Sequence, residues 1–442
     1  MLIVGFDRFL MGFSLAVHIG IVMIGIALPL IIVVSEFLGI KRKDVDYMAL
    51  SKRLSKILVV FFAIGTASGT VVALELLLLW PKFMALVGEI AILPLYIEVF
   101  AFFLEAIFLA IYIYSWDKFE NKYLHLLSGV FVCIGAALSA VLITMLNAFM
   151  NNPTGFDINA YLKSGIITGI NPIAVLTSQP ALIEIIHVLV TTYFAGAFVF
   201  VGYMAYMFIK SGQDEKRYYK KGIKIAFSIA FIATLLSVYT GILTISSLAH
   251  TQPEKYAAIE ADLYPHSHAA EIIGGIFFGG AYHYFISIPD LQSILEFGNV
   301  SGVVPGLSQY QQLTWPPLLF IHLMFDTLVG LGFLFAFFVL IVLLLQILRR
   351  DPFENKFMLK LFMLAAVLAV FMLENGWAMA EIGRQPWIIY NVMLVSQAAN
   401  TSTSLIPVVI IFAAFYLIII PLTIIFLRRI FKNKSISDEL SY

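Results

Sequence analysis

The 442-residue chain is 61% hydrophobic and only 12% charged, against roughly a quarter charged in soluble domains, which assigns it to a lipid bilayer. Its 27 basic and 27 acidic side chains cancel, so no net positive field exists to draw nucleic acid. The single cysteine, Cys133, excludes a disulfide framework, a thiolate zinc or iron–sulfur site and a CxxCH haem attachment, leaving His, Met or carboxylate to hold any metal.

A membrane helix needs about 20 apolar residues. Nine segments qualify, at 10–38, 55–80, 91–115, 124–149, 181–209, 222–247, 316–347, 358–380 and 404–427. The first is too long for a signal h-region and lacks a small-residue cleavage site, so no cleavable signal is expected. The connections after the first, third, fifth and seventh segments, with the tail that carries Arg428, Arg429, Lys432 and Lys434, hold 22 of the 27 basic residues. Arg8, Lys82, Lys163, Lys255 and Arg384 lie at the opposite face. The positive-inside rule then predicts the N-terminus outside and the C-terminus in the cytoplasm. The longest connection, 248–315, joins the sixth and seventh segments outside and is rich in Gly, Pro and His; a loop of that length is more often functional than idle. The expected fold is an all-α polytopic membrane protein, one domain over 1–442 with nine transmembrane helices in one bundle and one large outer loop.

Ionisable side chains in the bilayer are functional candidates when they face the bundle interior. In the first segment His18 reads either as a core histidine bonded to a neighbouring helix or as an axial haem ligand. The second carries Gly65-Thr-Ala-Ser-Gly69, a small-xxx-small pattern that serves close packing. Glu98 and Glu105 in the third are seven residues apart, which puts both carboxylates on one face about 10 Å apart along the axis. Unpaired acids on such a stripe suit a proton path; paired structural carboxylates are the alternative. In the fifth, His187 has the same two readings as His18, with Glu184 as its possible partner. Two isolated histidines on different helices favour haem over zinc, which wants clustered ligands.

The loop segment Gln252–Glu260, with Lys255 and Glu260, reads by itself as a solvated, partly helical turn. The seventh segment brings His322, Met324 and Asp326 to its outer third; Met324 is either a core filler or the partner of His187 in a His/Met haem ligand pair. Glu374, Trp377 and Glu381 share a face of the eighth. Arg384 beyond it suits either a clamp on a carboxylate such as a haem propionate or an ion pair with Glu381.

Gly383-Arg-Gln-Pro-Trp387, preceded by the GWxxxE of Gly376–Glu381, together with AFFLE at Ala101–Glu105, Asn152-Pro153 and KxAAxE at Lys255–Glu260, resembles subunit I of the cytochrome bd-type quinol oxidases over nearly the whole chain. The resemblance implies His18 and Glu381 as axial ligands at two active-site haems, a high-spin haem b and a haem d or d-like haem, with the assignment between them open. It implies His187 as a ligand of a low-spin haem b, with Met324 as the second ligand. Alignment on Val329-Gly-Leu-Gly332 instead sets Leu328 at that position. Lys255 and Glu260 match residues that bind and oxidise quinol, Glu98 and Glu105 acids near the active-site haems, and Trp377 and Arg384 supporting residues. The acids are usually eight residues apart in this family, and here they are seven.

The function expected is a quinol:oxygen oxidoreductase in the plasma membrane of a prokaryote, oxidising quinol at the outer loop and reducing oxygen with protons drawn from inside. Its partner is a second membrane subunit, either subunit II or a homologue of subunit I. The alternatives are a proton-coupled transporter without haem and a degenerate oxidase paralogue.

Overall fold

Backbone polar groups in hydrocarbon must be satisfied within the segment, so apolar runs of this length become helices. The computed structural model describes residues 2–402 and 405–431; Lys432, Lys434 and the first residue of the predicted ninth segment lie outside the described residues. The helices are α1 (Leu2–Arg42), α2 (Val45–Leu79), α3 (Pro81–Ile90), α4 (Ile92–Tyr114), α5 (Lys122–Asn151), α6 (Ile158–Ser164), α7 (Pro172–Thr177), α8 (Gln179–Lys210), α9 (Gln213–Thr251), α10 (Pro253–Ile259), α11 (Leu291–Phe297), α12 (Leu318–Ile347), α13 (Lys356–Ile382), α14 (Val395–Ala398) and α15 (Ile406–Phe431). Nine of those described are long and apolar enough to span a membrane: α1, α2, α4, α5, α8, α9, α12, α13 and α15.

Side-chain caps set several of the helix starts. Asp44, Asn121 and Asn355 accept hydrogen bonds from Asp46, Tyr123 and Phe357 backbone N–H groups at the starts of α2, α5 and α13, satisfying donors a first turn leaves open. These starts share one end of the bundle with most of the basic residues. Lys221 pairs with Asp44 at 2.5 Å and Asp46 at 2.7 Å, and Lys220 with Asp351 at 2.5 Å, so the α1–α2, α8–α9 and α12–α13 connections meet there. At the opposite end, which carries the long loop, Arg8 donates to Gln385 at 2.8 Å and the Asn400 amide to the Leu79 carbonyl at 2.8 Å.

The most enclosed span is α8, which packs against α9, α13, α1 and α5. Small residues permit this: a Cβ at Gly196 would lie 2.3 Å from that of Ala27 on α1. By contrast α4, α12 and α15 turn most of their apolar surface outward.

The loop between α9 and α12 is more structured than its composition suggested. Its first turn, α10, is buried over Glu254–Ile259 and docks with Leu248 of α9 and Leu318, Ile321 and Phe325 of α12. A hairpin follows, β1 (Glu271–Phe278) against β2 (Ala281–Ile288), antiparallel with Phe278 opposite Ala281. Its two-residue turn is Gly279-Gly280, at φ 61° and 83°, the backbone that tight hairpin turns need and glycine supplies. A second short pair, β3 (Trp387–Ile389) and β4 (Met393–Leu394), lies beyond α13. These strands are minor additions to a helical bundle.

Candidate active site

Two of the histidines are held in the tautomer that a metal requires. His18 Nδ1 lies 2.9 Å from Ser68 Oγ, and that hydroxyl donates its proton to the Gly65 carbonyl at 3.1 Å. Oγ must therefore accept from Nδ1–H, which leaves the Nε2 lone pair free. His187 repeats the arrangement on other helices: Nδ1 is 2.9 Å from Thr240 Oγ1, whose proton goes to the Leu236 carbonyl at 2.9 Å. The expected partner of His187, Glu184, is instead engaged by Asn151 Nδ2 at 3.1 Å, because the ring turns towards α9. Gly69 makes room for the His18 ring, since a Cβ there would approach Cε1 to 3.0 Å.

Two other buried histidines have no such free nitrogen. His322 is 1% exposed, with Nδ1 2.6 Å from the Ile259 carbonyl and Nε2 2.9 Å from the Gly274 carbonyl. Both ring nitrogens are taken up by backbone carbonyls, and Asp326 stands 3.5 Å from Nε2. His322 thus pins α12 to the loop. His125 also uses both nitrogens.

At the loop end of α13 a polar network converges on Glu381. Arg384, 2% exposed, donates Nη2 to Glu381 Oε2 at 2.5 Å and Nη1 to Asn151 Oδ1 at 2.7 Å, while its buried Nε has no acceptor among the described residues. Asn147 Nδ2 donates to Glu381 Oε1 at 2.6 Å. Of the two readings of Arg384, the Glu381 ion pair is formed, with the Nε–H left over. Asn147 and Asn151 are absent from the sequence expectations; two amides one turn apart in an apolar helix were the available signal. Trp377 packs at the edge of the main core, and Glu374 faces α1 at Gly20.

Glu98 and Glu105 both face α5. Ser139 donates to Glu98 at 2.6 Å, and the backbone of Glu105 lies so near Gly135 that a Cβ there would come within 2.7 Å. The shared face read from their spacing is present. On α12, Met324 is half-buried and its carbonyl accepts from Asn375 of α13 at 2.9 Å, while Leu328, one turn on, faces Gly376.

Lys255 corrects the expectation of a solvated turn. It is 5% exposed, with Nζ donating to the Ala380 carbonyl at 3.1 Å, because α10 docks into the bundle rather than lying on it. Burial, and then the Arg384 charge, bring its ammonium down to about 8. Glu260, 4% exposed, is held well above the carboxylate range by burial and by Glu271, Asp262 and Asp326. Burial also pushes Asp262 up to about 8, although Gln292 donates to it at 2.6 Å.

Residues 6–435 match the family described as cytochrome bd terminal oxidase subunit I. The chain belongs to this family. It is 33% identical over 439 residues to a putative cytochrome bd menaquinol oxidase subunit I of Bacillus subtilis (strain 168), covering 98% of both chains. A cytochrome bd ubiquinol oxidase subunit 1 of the same strain is 28% identical, with 94% of this chain and 91% of that one covered. The solved bd oxidase from Geobacillus thermodenitrificans matches with a TM-score of 0.90 at 36% identity, over 98% of this chain and 99% of that chain. Membership in the cytochrome bd family sets the transporter reading aside.

The cytochrome bd family implies haem, and the donor set suits it. Two imidazoles present free Nε2 lone pairs from different helices, and Arg384 keeps a buried N–H to spare for an anionic group. Among the described residues no cluster of three or more His, Cys, Asp or Glu competes as a site for a bare metal ion.

Proposed function

We propose that this chain is the haem-carrying subunit of a quinol oxidase in a prokaryotic plasma membrane, with the loop end outside and the basic end in the cytoplasm. The observation that carries the reading is the pair of hydroxyl-locked imidazoles, His18 and His187, each with Nε2 unengaged. His187 holds a low-spin haem b, with Met324 as its second ligand. His18 and Glu381 serve the two active-site haems, a high-spin haem b and a haem d or d-like haem. Bound haem supplies the one-electron steps and the reduction of oxygen.

The protein groups do the rest. Lys255 and Glu260 on α10 bind quinol from the outer side. Lys255 offers its ammonium to a quinol oxygen, and Glu260 exchanges a proton with the quinol and passes it outward past Asp262 and Glu271. Asn147, Asn151 and Arg384 hold the Glu381 carboxylate in orientation. Trp377 supports the wall beside it. Glu98 and Glu105 carry protons from the cytoplasmic side, so charge separates across the membrane without a pump. The outward apolar faces of α4, α12 and α15 leave room for lipid and for a second membrane subunit, either subunit II or a homologue of this chain.

The test is quinol-dependent oxygen consumption by the purified complex, with haem content measured on the same sample. Consumption lost in His187→Ala together with one b-type haem supports the reading; a parent complex that carries haem and consumes no oxygen with any quinol overturns it.

A further inference from the structure

A fully buried polar cluster lies outside the site described above, at the basic end of the same acid stripe. Glu36 of α1 is 0% exposed, His125 of α5 1% and Tyr112 of α4 1%, with Ser51 of α2 at 0%. Tyr112 Oη donates to Glu36 Oε2 at 2.6 Å, His125 Nδ1 lies 2.6 Å from Glu36 Oε1, and Ser51 Oγ is 2.8 Å from Tyr112 Oη. Four helices meet on these contacts.

The proton count of the cluster is fixed by one bond. His125 Nε2 lies 2.9 Å from the Tyr112 carbonyl, which can only accept, so Nε2 carries hydrogen. A single further proton then sits between Nδ1 and Glu36 Oε1, on either atom, and the pair is neutral as a whole. Removing that proton would leave an uncompensated buried charge; adding one would do the same. The cluster therefore returns to one shared proton after any transfer, as a relay station must.

Its position gives the relay a direction. Glu98, Glu105 and Tyr112 follow one another at seven-residue intervals on α4, a single stripe. The stripe is faced along α5 by Ser139 bonded to Glu98, by Gly135 against Glu105, by Gly129 against Tyr112 and by His125. On the other side, His125 is screened from the basic end by the rings of Trp116 and Phe119. Lys122 donates to the Trp116 carbonyl at 3.1 Å and Lys52 stands over the Trp116 ring, 3.9 Å from exposed Asp117.

We propose that the Glu36–His125 pair, acting through Tyr112, is the proton-loading station that feeds Glu105 and Glu98 from the cytoplasmic side. This rests on the oxidase reading above. In the transfer, the Tyr112 hydroxyl proton leaves its bond to Glu36 Oε2 for a water on the Glu105 side, and the Glu36 carboxyl, rotated to present the shared proton, reprotonates the Tyr112 oxygen. Water then carries the released proton over the roughly 10 Å that two helical turns span. The pair is refilled by one proton from the basic end, which passes the Trp116 and Phe119 rings and is taken up at the Nδ1–Oε1 contact. Glu36, His125 and Tyr112 are positioning and relay groups that touch no substrate.

The test uses the purified complex of the parent and of two variants, Glu36→Gln and Tyr112→Phe, with haem content, oxygen consumption in H2O and D2O, and pH-difference infrared spectra of the resting protein. Both variants are expected to keep the parent haem content. Oxygen consumption should fall about tenfold or more in Glu36→Gln and by a smaller factor in Tyr112→Phe, with the solvent isotope effect larger than in the parent. Whichever atom holds the shared proton, the Glu36 carboxyl or carboxylate component of the infrared spectrum should vanish in Glu36→Gln and shift in Tyr112→Phe. Full haem with parental turnover and isotope effect in both variants overturns the proposal, as does loss of haem from both, which would mark the cluster as structural. A parent complex that consumes no oxygen overturns the oxidase reading itself, and the relay with it.

Discussion

At the scale of single residues, one nitrogen separates His18 and His187 from His125 and His322. Where a neighbouring hydroxyl has already spent its proton on a backbone carbonyl, the imidazole must donate Nδ1–H and expose Nε2. Thr240→Val should therefore weaken retention of the haem at His187, by about 10- to 100-fold in affinity as for other partners of metal-bound histidines. His322→Gln should leave haem content unchanged. Absorbance of the purified variants checks both, and a haem lost from His322→Gln would contradict the tautomer argument. For Met324, replacement by Leu should shift the low-spin b-type band; an unchanged spectrum would move the ligand elsewhere. Lys255 gives a pH prediction. An ordinary lysine stays charged to about 10.5 and this one only to about 8, so a quinol step that needs the ammonium should decline as pH rises through about 8. The Lys255→Met variant should lack that limb. The stability sign runs the other way, because holding Lys255 in a buried site costs stability below about pH 8 and the cost fades towards 10.5.

At the scale of elements, two glycine-lined seams place the chemistry. Gly69 lets α1 and α2 close on the His18 ring, and Gly135 lets α4 and α5 close on Glu105. Gly135→Val should part the second seam, lowering stability by about 1–3 kcal/mol as overpacking does and displacing Glu105. Thermal unfolding in detergent, read beside oxygen consumption, checks it. The small-xxx-small motif and the seven-residue spacing of the acids made these seams legible in the sequence, since both are one-dimensional patterns. The partners Ser68, Thr240 and Asn147 were not legible, because each meets its histidine or carboxylate across a helix–helix gap, 50 or more residues away in the chain, and no spacing pattern marks such a contact. The burial of α10 was likewise hidden: Gln252-Pro-Glu-Lys255 is polar, and docking against α9 and α12 decides its environment. The hairpin carried a signal, Gly279-Gly280 between apolar runs, that a helical reading of the chain passes over.

At the scale of the whole molecule, nine apolar segments with basic residues in alternate connections set the topology, and the structure joins those connections into one face through Lys221, Lys220 and their acids. Orientation in the membrane is then a single choice of sign. A cysteine introduced at exposed Ser301, in a Cys133→Ala background, should react with a membrane-impermeant maleimide on intact cells, whereas one at exposed Gln213 should react only after lysis. The reverse pattern would invert the proton bookkeeping, with quinol oxidised inside. The proposal that joins the three scales is haem held by His18, His187 and Glu381. The most direct test is a reduced-minus-oxidised absorption spectrum of the purified complex, with a pyridine haemochrome assay. Bands of b type are expected together with a red-shifted chlorin-type band, with the loss of one b-type contribution in His187→Ala. A complex without haem, or one whose His187→Ala and His18→Ala variants keep every band, would contradict that proposal.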